Sequence, residues 1–132
     1  MSKDLAKTCL YTTINPKKLK EASSLRGPTT FVVKRRMKKA KEHFLKAKAD
    51  GLDYPVLFSD ATCCKRLIYS ARLIRISVGK EDTHFTVFDF VELDKGLVTQ
   101  KLVKDSNGKR IAPDFIRPYA IVKTPKFLKK IK

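Results

Sequence analysis

The sequence predicts a single α+β domain, in which a small β-barrel of about six mostly antiparallel strands packs against one main basic amphipathic helix. Three observations lead to this prediction. Short segments rich in β-branched and aromatic residues alternate with turn-forming residues along most of the chain. One segment, residues 30–49, instead repeats its apolar residues at helical spacing. The chain has 132 residues, 42% of them hydrophobic, so residues 1–132 suit one domain with its own core and a short basic tail from about residue 125.

The N-terminal part of the chain predicts one strand and then the main helix. Residues 7–14 (KTCLYTTI) have the composition of a strand, and residues 17–26 form a basic connector with room for a short helix. In residues 30–49 the apolar residues follow one another at steps of four, three, four and three, which predicts one buried helical face. Gly51 is placed to end this helix. The apolar face consists of Val33, Met37, Ala40, Phe44 and Ala47.

The central part predicts a short buried strand, a turn or short helix, and a long hairpin. The strand covers residues 55–59, and the turn or helix covers residues 60–67. Residues 69–78 and 84–93 are the two strands of the hairpin. In the first of these, simple alternation would place Ile74 and Ile76 on the same face. The second is apolar on both faces, which is typical of a strand covered on both sides.

A second hairpin and a last strand complete the predicted barrel. Residues 97–104 have strand composition, and Asn107-Gly108 is a strong signal for a two-residue hairpin turn. The return strand begins at residues 109–112, and residues 119–123 (YAIVK) form the last strand. Closing these strands into a barrel would leave no open sheet edge.

The charge predicts a polyanionic partner. There are 30 Lys and Arg residues against 13 Asp and Glu residues, a net charge of +17, and the excess lies in residues 31–50 and 101–132. So much like charge repels itself, whereas binding nucleic acid releases condensed counterions. We therefore expect a non-catalytic domain that binds RNA or DNA. The expected contacts to the nucleic-acid backbone are Arg35, Arg36, Lys38, Lys39, Lys41, Lys123, Lys126, Lys129 and Lys130.

Aromatic and polar residues near chain breaks are candidates for a base pocket. Aromatic rings stack on bases, and Asp or Arg side chains beside them bond base edges. The candidates are Tyr54, Phe58, Asp60, Tyr69, Asp114, Arg117 and Tyr119. The alternative interpretation places most of these rings in the core and makes Asp60 a helix cap.

The order of these elements resembles the PUA-like group of β-barrels, which includes the EVE, ASCH and YTH families. The resemblance covers roughly residues 7–124 and rests on the strand KTCLYTTI, the intervening helix, the short strand PVLFS and the hairpin RLIRISV…HFTVFDFVEL. It implies a barrel that binds RNA or a modified base in a cleft between barrel and helix.

The cysteines and the hydropathy bear on location and cofactors. An odd count of three, with Cys63 and Cys64 adjacent, is a poor disulfide framework and fits the reducing cytoplasm. The two histidines and three cysteines lack the spacing of a metal site, so we expect no metal and no cofactor. No apolar run approaches the roughly 20 residues of a membrane span, and residues 1–7 lack the apolar core of a signal peptide.

Two other function classes remain open. A small metal-dependent nuclease or nucleic-acid-modifying subunit would draw on the acidic cluster Asp89, Glu92 and Asp94, with Lys95 beside it. A protein-interaction factor would instead use the positive charge to bind an acidic partner.

Overall fold

The computed structural model describes residues 4–24, 27–60, 63–93, 102–103, 108, 119–125 and 128. Within them the chain forms two helices and six strands. In chain order these are β1 (Thr8–Ile14), α1 (Pro16–Ser24), β2 (Thr29–Val33), α2 (Lys38–Ala49), β3 (Tyr54–Asp60), β4 (Cys63–Val78), β5 (Thr83–Glu92) and β6 (Tyr119–Lys123).

The six strands form one mixed sheet in the order β2-β5-β4-β3-β1-β6. β1 and β3 are parallel, and the other neighbouring strands are antiparallel. The α+β class and the largely antiparallel sheet are therefore confirmed, but the predicted closed barrel is wrong. β2 and β6 lie at opposite ends of the sheet, whereas closure would require the two end strands to pair. The buried apolar residues of the open sheet instead form two clusters, one on each face.

Each face of the sheet carries its own hydrophobic cluster. On the helix face, Leu10 of β1, Phe58 of β3 and Phe85 of β5 pack with Ala40 and Phe44 of α2. On the opposite face, the described cluster lies over β1, β3 and β6. Its buried members are Cys9, Tyr11, Leu57, Leu93, Leu102, Val122 and Leu128.

The predicted main helix is shorter than expected at its N-terminal end. Thr29–Val33 forms strand β2, and the helix begins only at Lys38. Four of these five residues are β-branched, so pairing with β5 overrides the helical spacing. Val33 thus belongs to a strand and Met37 precedes the helix, leaving Ala40, Phe44 and Ala47 as the buried face of α2. After α2, Gly51 has a φ of 72°, as the predicted helix end requires.

The predicted turn or short helix at residues 60–67 is wrong, because β4 already begins at Cys63. β4 and β5 pair with two register shifts, and both fall where regular alternation was expected. An extra residue on β4 at Ile74 puts Leu73 and Ile76 on the same buried face. An extra residue on β5 near Asp89, whose φ is 67°, lets Phe90 pack with Phe58 in the core.

Most of the predicted second hairpin lies outside the described residues. Of that segment, Leu102 is buried and the carbonyl of Val103 accepts a hydrogen bond from the Lys123 backbone N–H at 2.8 Å. Gly108 has a φ of 68°, which suits the predicted Asn-Gly turn. Neither helix in the described part of the chain is long and apolar enough to cross a membrane.

Candidate nucleic-acid interface

Eight exposed cationic side chains lie on the segment that links β2 to α2 and on α2 itself. We call this group the cationic surface. Between residues 34 and 48 the only acidic residue is Glu42. The members of the cationic surface are Lys34, Arg35, Arg36, Lys38, Lys39, Lys41, Lys46 and Lys48.

The segment between β2 and α2, which we call the connector, carries Lys34, Arg35 and Arg36 and is hydrogen-bonded to β5. The buried hydroxyl of Thr83 donates to the carbonyl of Arg35 at 2.6 Å and accepts from the backbone N–H of Met37 at 2.8 Å. Arg36 Nε also donates to the carbonyl of Gly79 at 3.0 Å, beside the β4–β5 turn. The backbone of the connector is therefore fixed before any ligand binds, which lowers the entropy cost of binding.

Four of the five lysines of α2 form two columns that flank its outer ridge. Lys39 and Lys46 are seven residues apart, as are Lys41 and Lys48, so each pair spans two helical turns and about 10 Å. The 12-residue helix is about 18 Å long, which corresponds to about five base pairs at 3.4 Å per step. The two columns can therefore contact several phosphates at once.

None of these cations is neutralised by a neighbour. Among the described residues, ion pairs join Arg72 to Asp53 and Asp89, and His84 to Asp82, and none involves the cationic surface. The first turn of α2 contains no acidic residue, so nothing there offsets the positive end of the helix dipole. Apart from the hydrogen bond between Arg36 and the Gly79 carbonyl, the positive charge of the eight exposed side chains faces solvent.

The structure places Lys123, another predicted contact, on the same side of the sheet as α2. Lys123 pairs in register with Thr8, and the Thr8 hydroxyl forms a 2.9 Å hydrogen bond with Nδ1 of His43 in α2. His43 lies beside Lys39 and Lys46 on the helix, at spacings of four and three residues. Lys123 therefore extends the first lysine column toward the edge of the sheet. The other predicted C-terminal contacts, Lys126, Lys129 and Lys130, lie outside the described residues.

The predicted base pocket is not formed by the residues expected to line it. Tyr54 and Phe58 are 1% and 0% exposed, and both belong to the core beneath α2. Phe58 packs against Phe31 and Phe90 with ring centroids 5.5 and 5.7 Å apart. Their assignment to an open base pocket is therefore wrong, because alternation along β3 turns both rings toward the helices.

The remaining base-pocket candidates are only partly described. Tyr69 is half-buried, with its ring 6.1 Å from that of Phe90 in an edge-to-face arrangement, and Tyr119 is half-buried at the margin of the same core. For Asp60 only the backbone is described, at the end of β3. Asp114 and Arg117 lie outside the described residues.

Sequence reasoning missed an exposed sheet surface on β2, β5 and β4. The described residues leave this face uncovered, and its apolar members Val32, Ile74 and Phe88 are 53%, 43% and 38% exposed. The guanidinium carbon of Arg72 lies 5.6 Å from the centre of the Phe88 ring. The apolar residues on both faces of β5 predicted a strand covered on both sides, and this is wrong for Phe88, which is exposed.

Asp89 and Cys9 are the other described side chains considered for catalysis; the first is ion-paired and the second is buried. Asp89, a candidate for the nuclease alternative, forms a 3.1 Å ion pair with Arg72. Burial raises the pKa of the Cys9 thiol to about 12, although a hydrogen bond with Thr124 acts in the opposite direction, so the reactive thiolate is scarce at neutral pH. Within the described parts of the chain, no three His, Cys, Asp or Glu side chains come together as a metal site would need. Asp94 and Lys95 lie outside those parts.

The chain matches no family model, no curated protein and no solved structure. The resemblance to the PUA-like group therefore stays a prediction.

Proposed function

We propose that the protein is a non-catalytic nucleic-acid-binding domain that holds the phosphate backbone on its cationic surface. One observation carries the proposal: eight exposed cations, which form no ion pair with any described residue, lie on α2 and on a connector whose backbone is fixed by buried hydrogen bonds. Concentrating like charges in this way costs electrostatic free energy in the unbound protein. Binding a polyanion recovers that cost through counterion release.

The proposal concerns the backbone of the nucleic acid and leaves RNA and DNA as ligands to be distinguished. About six phosphate contacts would give a slope of about −5 for log K against log salt on duplex DNA. A base-reading role in the manner of PUA-like domains would require exposed aromatic rings. The buried positions of Tyr54 and Phe58 remove two of the predicted ones.

The direct test is fluorescence anisotropy with labelled single- and double-stranded RNA and DNA of one length over a salt series. The double variant Lys39→Glu/Lys46→Glu removes one lysine column, and both side chains are exposed. We expect weaker binding to every sequence and a salt slope shallower by about 2. The matched control is Lys17→Glu/Lys18→Glu, which changes the net charge equally at two exposed positions of α1.

Three outcomes would contradict the proposal. Equal loss in both double variants would show that net charge alone, and not the cationic surface, drives binding. An absence of binding at low salt would remove nucleic acid as the ligand. Cleavage of the probe in the presence of Mg²⁺, abolished by Asp89→Ala, would favour the nuclease alternative.

A further inference from the structure

The two edge strands of the sheet differ in how their outer sides are covered. At the β6 edge, the backbone N–H of Lys123 donates a hydrogen bond to the carbonyl of Val103, and the residue before Val103, Leu102, is buried. At the other edge, β2 pairs only with β5 among the described residues. The outer backbone groups of β2 are thus the ones that the described chain leaves open.

β2 also lacks the features that usually protect an edge strand. Its sequence, TTFVV, contains no charged residue and no proline, and its pairing with β5 runs through five residues without a bulge. A 2.8 Å hydrogen bond between the hydroxyls of Thr30 and Thr86 ties it to β5. Val32 is exposed on the open face of the sheet. An extended peptide placed beside β2 would therefore meet a regular backbone edge and an apolar side chain.

The charge around β2 indicates which kind of peptide fits. Lys34 and Arg35 follow the strand directly, are exposed, and form no ion pair within the described part of the chain. A second copy of the chain would bring another net charge of +17 to the edge, which opposes association. An acidic segment would instead gain favourable electrostatic energy at the same place.

We propose that β2 binds an extended segment of an acidic partner protein by strand addition. The segment extends the sheet beyond β2 through backbone hydrogen bonds, places a β-branched residue beside Val32, and places carboxylates beside Lys34 and Arg35. The lysine columns of α2 take no part in this site, which shares only Lys34 and Arg35 with the cationic surface.

The test uses the intact protein and a synthetic fluorescein-labelled peptide, Val-Thr-Val-Thr-Val-Glu-Glu-Glu, at physiological salt. Two further peptides carry N-methyl groups on alternate residues, in the two possible phases, with the charge unchanged. In a strand every second residue directs its N–H toward the neighbouring strand. We expect one phase to lose at least about tenfold in affinity, equivalent to about 1.4 kcal/mol of backbone hydrogen bonding, while the other phase still binds.

Amide hydrogen exchange locates the binding site. We expect the intact peptide to slow exchange within Thr29–Val33. The variant Lys34→Glu/Arg35→Glu should weaken peptide binding, whereas Lys39→Glu/Lys46→Glu should leave most of it in place. Because these substitutions are on exposed side chains, all four remain compatible with folding.

Several results would overturn the proposal. Equal binding of all three peptides would show simple charge attraction, and no binding of the unmodified peptide would show that the edge is not a strand-addition site. Protection of Thr29–Val33 that rises with protein concentration, without peptide, would assign the edge to a second copy of the chain.

Discussion

Replacing Thr83 by valine tests whether one buried hydroxyl holds the cationic connector in place. Thr83 is fully buried at the start of β5, and its hydroxyl has partners on both sides. It donates to the Arg35 carbonyl and accepts from the Met37 backbone N–H. Valine has nearly the same shape and remains suited to a strand, so the substitution removes the two hydrogen bonds without opening a cavity.

The expected cost follows from those two hydrogen bonds. Each typically contributes about 1 kcal/mol, and leaving the buried Met37 N–H without an acceptor adds a desolvation penalty of about 1–3 kcal/mol. Thr83→Val should therefore lower the free energy of unfolding by about 3–5 kcal/mol, a large part of the roughly 5–15 kcal/mol typical of a domain. Thr83→Ser keeps the hydroxyl and loses one buried methyl group, at about 1 kcal/mol.

Urea denaturation of the three proteins measures these differences, and unchanged m-values would confirm that they reflect native stability. Hydrogen exchange should also be faster in Thr83→Val at Met37 and the first turn of α2. If Thr83→Val were as stable as Thr83→Ser, the hydroxyl would not be what fixes the connector. The cationic surface would then not be preorganised by Thr83.

Three other substitutions or conditions give independent predictions. Cys9 should resist iodoacetamide at pH 8 in the folded protein and react in urea. The wild type should lose its advantage in unfolding free energy over Cys9→Ala as the pH rises above about 9. Above that pH the unfolded chain releases the thiol proton, whereas the buried thiol, with its pKa of about 12, retains it. A difference that does not change with pH would contradict this. In urea denaturation, Asp89→Gly should be more stable than Asp89→Ala by about 1 kcal/mol, because the φ of 67° at residue 89 favours glycine. Both variants lose the same ion pair, so the difference reports the backbone alone. In a regular strand alanine would be the more stable of the two. Phe44→Ala should lower the free energy of unfolding by about 3–5 kcal/mol in the same assay, because the ring is buried against Tyr54. A loss as small as that of a substitution at an exposed position would show that α2 is not packed on Tyr54.

The strands that could be predicted are those whose local pattern agrees with their environment. β1, β3, β5 and β6 each combine β-branched and aromatic residues with a nearby break, and their predicted positions are confirmed to within about two residues. β2 was missed because Val33 and Met37 happen to continue the helical spacing of Ala40, Phe44 and Ala47. Its β-branched composition was the competing signal, and pairing with β5 decided between them.

The features that could not be predicted depend on contacts between distant segments. Nothing local marks Ile74 as the extra residue of a bulge, and Asp89 in a left-handed conformation carries no glycine signal. Similarly, the sequence places Tyr54 and Phe58 on one side of β3 but does not say that helices cover that side. The exposure of the α2 lysines was easier to predict, because a charged side chain without a partner is rarely buried.

The two proposed sites share part of the connector, and this has a consequence for their joint use. Lys34 and Arg35 belong to the cationic surface and also adjoin the proposed strand-addition edge. Carboxylates held beside them would neutralise charge that the nucleic acid otherwise contacts, so each ligand should weaken the other. By thermodynamic linkage the two effects must be equal in size. The coupling should fade with added salt, since it is transmitted by exposed charges, whereas the backbone pairing of the peptide with β2 should persist.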